Sequence, residues 1–270
     1  MADVVLLHGG VANAGAVVRQ GRHVLRPSNP HTATIHHFLR FLRGEGFEAA
    51  SLPIGVEPDG RERLEFIDGD VPVPPYPAWA ETDMALATAA ALLRRLHDVS
   101  ARYVPPPDAT WSTEMADPVA ATAGPDDLVV CHNDVCPENL VYRDQVAVGL
   151  LDFDFAAPGR RVHDLAAFAG MNVPMDSDDD ARVLGRAGPF DPFRRLRIVA
   201  DAYGLAADRS AFLDVVGERI ERGGQFLQRR LDEGNEAFRE MVEATGGMAK
   251  FDRRRAWFAA KRQRFADVLG

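Results

Sequence analysis

The stretch Val71-Pro72-Val73-Pro74-Pro75-Tyr76-Pro77 constrains this chain more than any other. Four prolines in seven residues can neither continue a helix nor lie inside a sheet, because each lacks an amide donor and has a fixed φ. The segment reads as a stiff linker, and the hydrophobic pattern changes across it. Before it, short apolar or β-branched runs at residues 4–7, 16–19, 23–26, 52–56 and 64–67 alternate with turn signals at Gln20-Gly21 and Pro58-Asp59-Gly60. One helix interrupts them. Ile35, Phe38, Leu39 and Leu42 fall on one face across residues 34–43, which Gly44 and Gly46 close. After the linker the pattern is helical: Met84, Leu86, Leu92, Leu93 and Leu96 mark residues 82–99, and amphipathic stretches follow near 192–204, 209–232, 234–246 and 251–268. Only residues 126–155 return to strand, loop and strand. The expected fold is α+β and bilobal, with a small β-rich part over residues 1–70 and a larger, mainly helical part over 71–270. Clefts between such lobes commonly hold ligands.

A 270-residue chain that is 46% hydrophobic can bury a sizeable core in one large or two small domains. The net charge of −9 argues against nucleic acid as a partner and suits a cationic small molecule. The two cysteines, Cys131 and Cys136, lie too close in sequence to staple distant parts of the fold, which points to a reducing, cytoplasmic setting. A lone C-x4-C without further Cys or a His pair makes a poor zinc site. Met1-Ala2-Asp3-Val4-Val5-Leu6-Leu7-His8 has no basic segment ahead of its apolar run, and no run of about 18 apolar residues occurs, so neither a signal peptide nor a membrane span is expected.

The chemistry concentrates in one place. His132-Asn133-Asp134-Val135-Cys136-Pro137-Glu138-Asn139 is followed by Leu150-Leu151-Asp152-Phe153-Asp154. Asp134 and Asn139 can share one loop that Pro137 stiffens. Residues 140–142 and 146–151, turning at Arg143-Asp144-Gln145, would form a hairpin that returns Asp152 to the side of Asn139. Oxygen ligands from two segments are what Mg²⁺ bound to phosphate needs, and Asp134 would accept a hydroxyl proton. The competing reading is an acidic loop with an asparagine at a turn; the two elements joined by a hairpin favour the site.

The segment 132–166 resembles the aminoglycoside phosphotransferase family, the protein-kinase-like small-molecule kinases. That resemblance implies a catalytic role for Asp134 and metal-binding roles for Asn139 and Asp152. Asp-Leu-Ala at residues 164–166 would open a helix, with Asp164 bracing the loop. His132 would brace it too, and Asp154 would be an outer group or a solvated one. The same resemblance places a phosphate-covering loop at His8-Gly9-Gly10 through Gly15, with Gly9 and Gly10 as nucleotide contacts. It places an interlobe hinge at residues 64–69, where backbone groups of Glu65 and Ile67 would meet the purine of ATP or GTP. The acceptor would be a hydroxyl-bearing small molecule, an aminoglycoside or other amino-alcohol, held in the helical part. Acidic residues in 176–180, read as a loop, and in 232–236 are candidates for its ammonium groups, against an alternative as solvated helix ends and loops.

Two departures stand out. No lysine precedes Lys250, so Arg26 takes the place of the phosphate-binding lysine; its bidentate fork suits phosphate but changes the geometry. The helix 34–43 contains no glutamate to pair with that cation, and His36 or His37 occupies the space. The alternative to a phosphotransferase is therefore a nucleotide-binding pseudokinase or regulatory protein.

Overall fold

The computed structural model describes residues 4–7, 15–124, 127–206 and 209–270. Gly9 and Gly10 lie outside the described residues.

The β-branched runs ahead of the prolines form one antiparallel sheet of five strands: β1 (Val4–Leu6), β2 (Val18–Gln20), β3 (His23–Pro27), β4 (Pro53–Val56) and β5 (Arg61–Glu65), in the order β1-β2-β3-β5-β4. Gly21 takes φ +61° in the tight turn between β2 and β3, where a side chain would be strained. The helix α1 (Thr32–Gly44) buries Ile35, Phe38, Leu39 and Leu42, the face its periodicity marks. Two strands differ from expectation: β2 covers Val18–Gln20, not 16–19, and β5 is shifted too. β5 begins at Arg61 and ends at Glu65, not at 64–67, because its charged residues Arg61, Glu62 and Arg63 hide a period-2 pattern in which Glu62 and Leu64 point inward.

The chain then passes to the helical region. Asp70 and Tyr142 exchange two backbone hydrogen bonds of 2.8 Å, tying the segment after β5 to the hairpin of β7 (Leu140–Arg143) and β8 (Val146–Leu150). Ile67 packs over Gly149, where an added Cβ would lie 3.1 Å from both the Ile67 and Val141 side chains. Gly149→Val is therefore expected to cost roughly 1–3 kcal/mol of stability by overpacking, read from the midpoint of urea unfolding. Asp144 and Gln145, both with positive φ, make the two-residue turn of the hairpin.

Thr82 caps α2 (Asp83–Ser100), its hydroxyl accepting the Ala85 amide at 3.2 Å. The helices α3 (Arg161–Asn172), α5 (Pro192–Tyr203), α6 (Arg209–Asp232), α7 (Glu236–Ala244) and α8 (Ala249–Leu269) complete the layer, and Leu93, Leu96, Leu165, Phe168, Leu196, Phe212 and Phe265 fill its core. Two elements were not evident from the sequence. β6 (Leu128–Cys131) pairs with β9 (Ala157–Arg160), although Pro158 and Gly159 look like breakers; a two-stranded ribbon leaves Pro158 an open edge. The acidic residues at 176–180 are not a loop: Ser177 caps α4 (Asp178–Val183), whose first turn carries three aspartates at its electropositive end. Among the described residues no helix is long and apolar enough to cross a membrane.

Candidate active site

The loop after β6 is fixed by a single buried carboxylate. Asp164, in the first turn of α3 and fully buried, accepts the His132 amide at 2.6 Å, the Asn133 amide at 2.8 Å and His97 Nε2 at 2.9 Å. Burial alone would raise its pKa, but the His97 side chain, with further help from His132, outweighs burial and holds the carboxyl down at about 2. Asn133 sits at φ +67°, so the backbone turns sharply just before Asp134. Arg219 of α6 closes the turn from the other side, donating Nη2 to the Asn133 carbonyl at 3.1 Å. His132 donates Nε2–H to the Leu151 carbonyl at 2.8 Å, while its Nδ1 accepts the Asp134 amide at 3.3 Å; burial keeps the imidazole pKa low and the ring neutral. The bracing roles expected of Asp164 and His132 are thus both visible in the hydrogen bonds.

Pro137–Asn139 form one 3-10 turn. The Asn139 amide nitrogen donates to the Asp134 carbonyl at 2.8 Å and to Asp134 Oδ2 at 3.0 Å. Burial, then the neighbouring Asp152 and Glu138 carboxylates, push the Asp134 carboxyl up to about 7. The β7–β8 hairpin returns the chain as expected: the Leu151 amide donates to the Asn139 carbonyl at 2.9 Å, and Asp152 follows at φ +60°. Phe153 is buried edge-on against Phe38 of α1 and near His132, which anchors this turn to the sheet region.

Arg26 reaches the same point from β3. Nη1 donates to Asp152 Oδ1 at 2.9 Å, Nη2 to Asp154 Oδ1 at 2.6 Å, and Nε to Glu62 Oε1 at 2.5 Å. Burial would lower its pKa, but Asp152, Asp154 and Glu62 raise it, so the guanidinium stays charged. Burial and then Asp152 push the Asp154 carboxyl up to about 6. The carboxylate sought in the helix comes instead from Glu62 on the neighbouring strand, and the helix contributes His36, whose Nε2 lies 2.6 Å from Glu62 Oε2. His37 turns away to share a hydrogen bond of 2.8 Å with Tyr103. Sequence reasoning missed Glu62; its alternation with Leu64 on an inward face was the available signal. It missed Arg219 as well, for which no local signal exists.

The donor set fits a hard divalent cation. Asn139 Oδ1 and Asp152 Oδ2 accept no hydrogen bond among the described residues, Asp152 is one-third exposed, and both offer oxygen. Glu65 ends β5 with its amide already bonded to the Leu52 carbonyl at 2.8 Å and its carboxylate paired with Arg43 at 3.0 Å; Ile67 follows in the segment leaving the sheet. Several of the acidic residues considered for the acceptor have arginine partners: Asp180 with Arg253, Asp176 with Arg254, Glu233 with Arg230 and Glu236 with Arg239. A cavity of about 350 Å³ lies among Pro174, Asp176, Phe190, Phe193, Trp257 and Lys261.

The sequence profile of the phosphotransferase enzyme family matches residues 110–199, which include Asp134, Asn139, Asp152 and Asp164. The chain is 34% identical over 217 residues to the trifolitoxin immunity protein of Rhizobium leguminosarum bv. trifolii, covering 79% of each. Its fold is similar to that of a choline/ethanolamine kinase family protein from Mesorhizobium loti (TM-score 0.64, 16% identity, 99% of this chain and 92% of that one). It is similar also to spectinomycin phosphotransferase in complex with ADP and spectinomycin (TM-score 0.62, 15% identity, 96% and 93%). With the kinase-like fold, the matched residues around Asp134 and this relative taken together, the chain belongs to the phosphotransferase enzyme family.

Proposed function

We propose that the protein transfers the γ-phosphoryl group of ATP or GTP to a hydroxyl of a small molecule, an aminoglycoside or other amino-alcohol being the expected class. The sheet region, residues 1–70, would hold the nucleotide; residues 71–270 would hold the catalytic loop and the acceptor. The observation that carries this reading is a run of contacts: Asn139 bonds Asp134, its carbonyl accepts the amide next to Asp152, and Asp152 meets Arg26 of the sheet. Asp134 orients the acceptor hydroxyl and takes its proton, with Asn139 fixing one carboxylate oxygen and leaving Oδ1 for the acceptor. Positioning and charge neutralisation matter more than base strength, since the transition state of phosphoryl transfer is largely dissociative. Arg26 contacts donor phosphate through the N–H bonds its carboxylate partners leave over. Asn139 and Asp152 would hold Mg²⁺, which would supply neutralisation of the negative charge on the donor phosphates. A reducing cytosol would suit the two free thiols.

A second reading, a nucleotide-binding regulator without transfer, has its own support: three carboxylates already engage Arg26, and the 34% identical relative is named for immunity. Thermal-shift titration with ATP and GTP, with and without Mg²⁺, tests what both readings share. Nucleotide at one hundred times its Kd should add about 2.7 kcal/mol of stability, only with Mg²⁺ present, and Asp152→Asn should remove the Mg²⁺ dependence. No shift with either nucleotide would rule out both.

A further inference from the structure

Arg26 meets three carboxylates with three different nitrogens: Nε on Glu62, Nη1 on Asp152 and Nη2 on Asp154. A lysine ammonium is a point charge and cannot span acceptors spread around a planar fork. Glu62 is itself held firmly. It is 1% exposed and directly opposite Arg26 in the β3–β5 register, and its second oxygen accepts His36 Nε2–H at 2.6 Å. His36 must be the donor in that contact, because a carboxylate only accepts. The helix α1 therefore acts on the site through an imidazole set behind a strand carboxylate.

We propose that Glu62, His36 and Asp154 are positioning residues for Arg26. They turn its guanidinium so that it steadies Asp152 and keeps its remaining N–H bonds for the donor phosphates, and Asp154 is the partner that makes arginine, not lysine, the fitting cation at this position. The proposal rests on the assignment of Arg26 to donor phosphate made above.

The set has a signature that a purely structural role lacks. In Arg26→Lys, Asp154 loses the Nη2 donor that meets its Oδ1, so replacing that carboxylate as well should restore function. The test is a cycle of Arg26→Lys, Asp154→Asn and the double variant, with Glu62→Gln, His36→Gln and His36→Leu alongside. Each is measured for ATP·Mg²⁺ affinity by calorimetry and for ADP formation, with circular dichroism to confirm folding. Glu62→Gln and Asp154→Asn should each lower affinity or turnover roughly 10- to 100-fold. The double variant should exceed Arg26→Lys by at least about threefold. His36→Gln keeps a donor where Nε2 lies and should retain more function than His36→Leu. Wild-type affinity and turnover in Asp154→Asn and both His36 variants, or an additive cycle, would overturn the proposal, and should Glu62→Gln fail to fold, these variants decide alone. If the wild-type protein binds ATP·Mg²⁺ but, with a panel of aminoglycosides and amino-alcohols supplied as acceptors, forms no more ADP than Asp134→Ala, phosphoryl transfer to these acceptors is refuted and the affinity cycle still decides the positioning role. If it binds no ATP·Mg²⁺, both fall.

Discussion

Asp134→Ala is expected to lower turnover by about three orders of magnitude or more while ATP·Mg²⁺ binding stays within a few-fold of wild type. A positioned base contributes roughly 10²- to 10⁴-fold, and Asp134 would also orient the acceptor. The change should spare the fold, because the loop does not hang from this side chain. His132 and Asn133 are tied to Asp164 through their amides, and Asn139 keeps a bond to the Asp134 carbonyl, which alanine retains. Single-turnover rates with ATP·Mg²⁺ and acceptor, beside calorimetric affinities, separate the two effects. A variant that binds nucleotide poorly but reacts normally once saturated would assign Asp134 to binding instead.

Asp164 gives the opposite profile. It is fully buried and accepts three hydrogen bonds, from two backbone amides and His97. Asparagine is nearly isosteric but presents an NH₂ group where an oxygen accepts two of them, so a buried donor would face a buried donor. Asp164→Asn should therefore cost about 3–5 kcal/mol of folding stability, the range for breaking a buried charged network, with activity lost through disorder of the loop. The pH dependence follows from the same carboxylate. Its pKa is about 2 in the folded protein, against roughly 3.9 in an unfolded chain, so its stabilisation is present above the unfolded value and fades as the pH falls from about 4 toward 2. Denaturant midpoints over that interval should drop for the wild-type protein and drop less for Asp164→Asn.

Much of this arrangement was legible in the residues. The prolines at 72–77 mark the change from sheet to helix, the leucine spacing marks α2, and the run from His132 to Asp152 contains both segments of the site and the hairpin that joins them. The losses have physical reasons. Glu62 sits in a strand of alternating charges where a single apolar residue, Leu64, shares its inward face, so the period-2 signal is faint, and its partners Arg26 and His36 are 36 and 26 residues away. Arg219 contacts Asn133 across 86 residues, a distance that only helix packing closes. The aspartates near 178 look solvated in sequence because a short capped helix and an acidic loop share the same composition. Asp154, ambiguous beside Asp152, resolves once Arg26 is seen to reach both.

The central claim, phosphoryl transfer to a small-molecule hydroxyl by Asp134, is tested most directly by mass spectrometry of a panel of aminoglycosides and amino-alcohols incubated with the protein, ATP or GTP, and Mg²⁺. At least one compound should gain the mass of one phosphoryl group, with nucleoside diphosphate formed in equal amount, and neither product should form with Asp134→Ala. Nucleotide binding with no phosphorylated compound anywhere in the panel, or the same product at the same rate from Asp134→Ala, would contradict it.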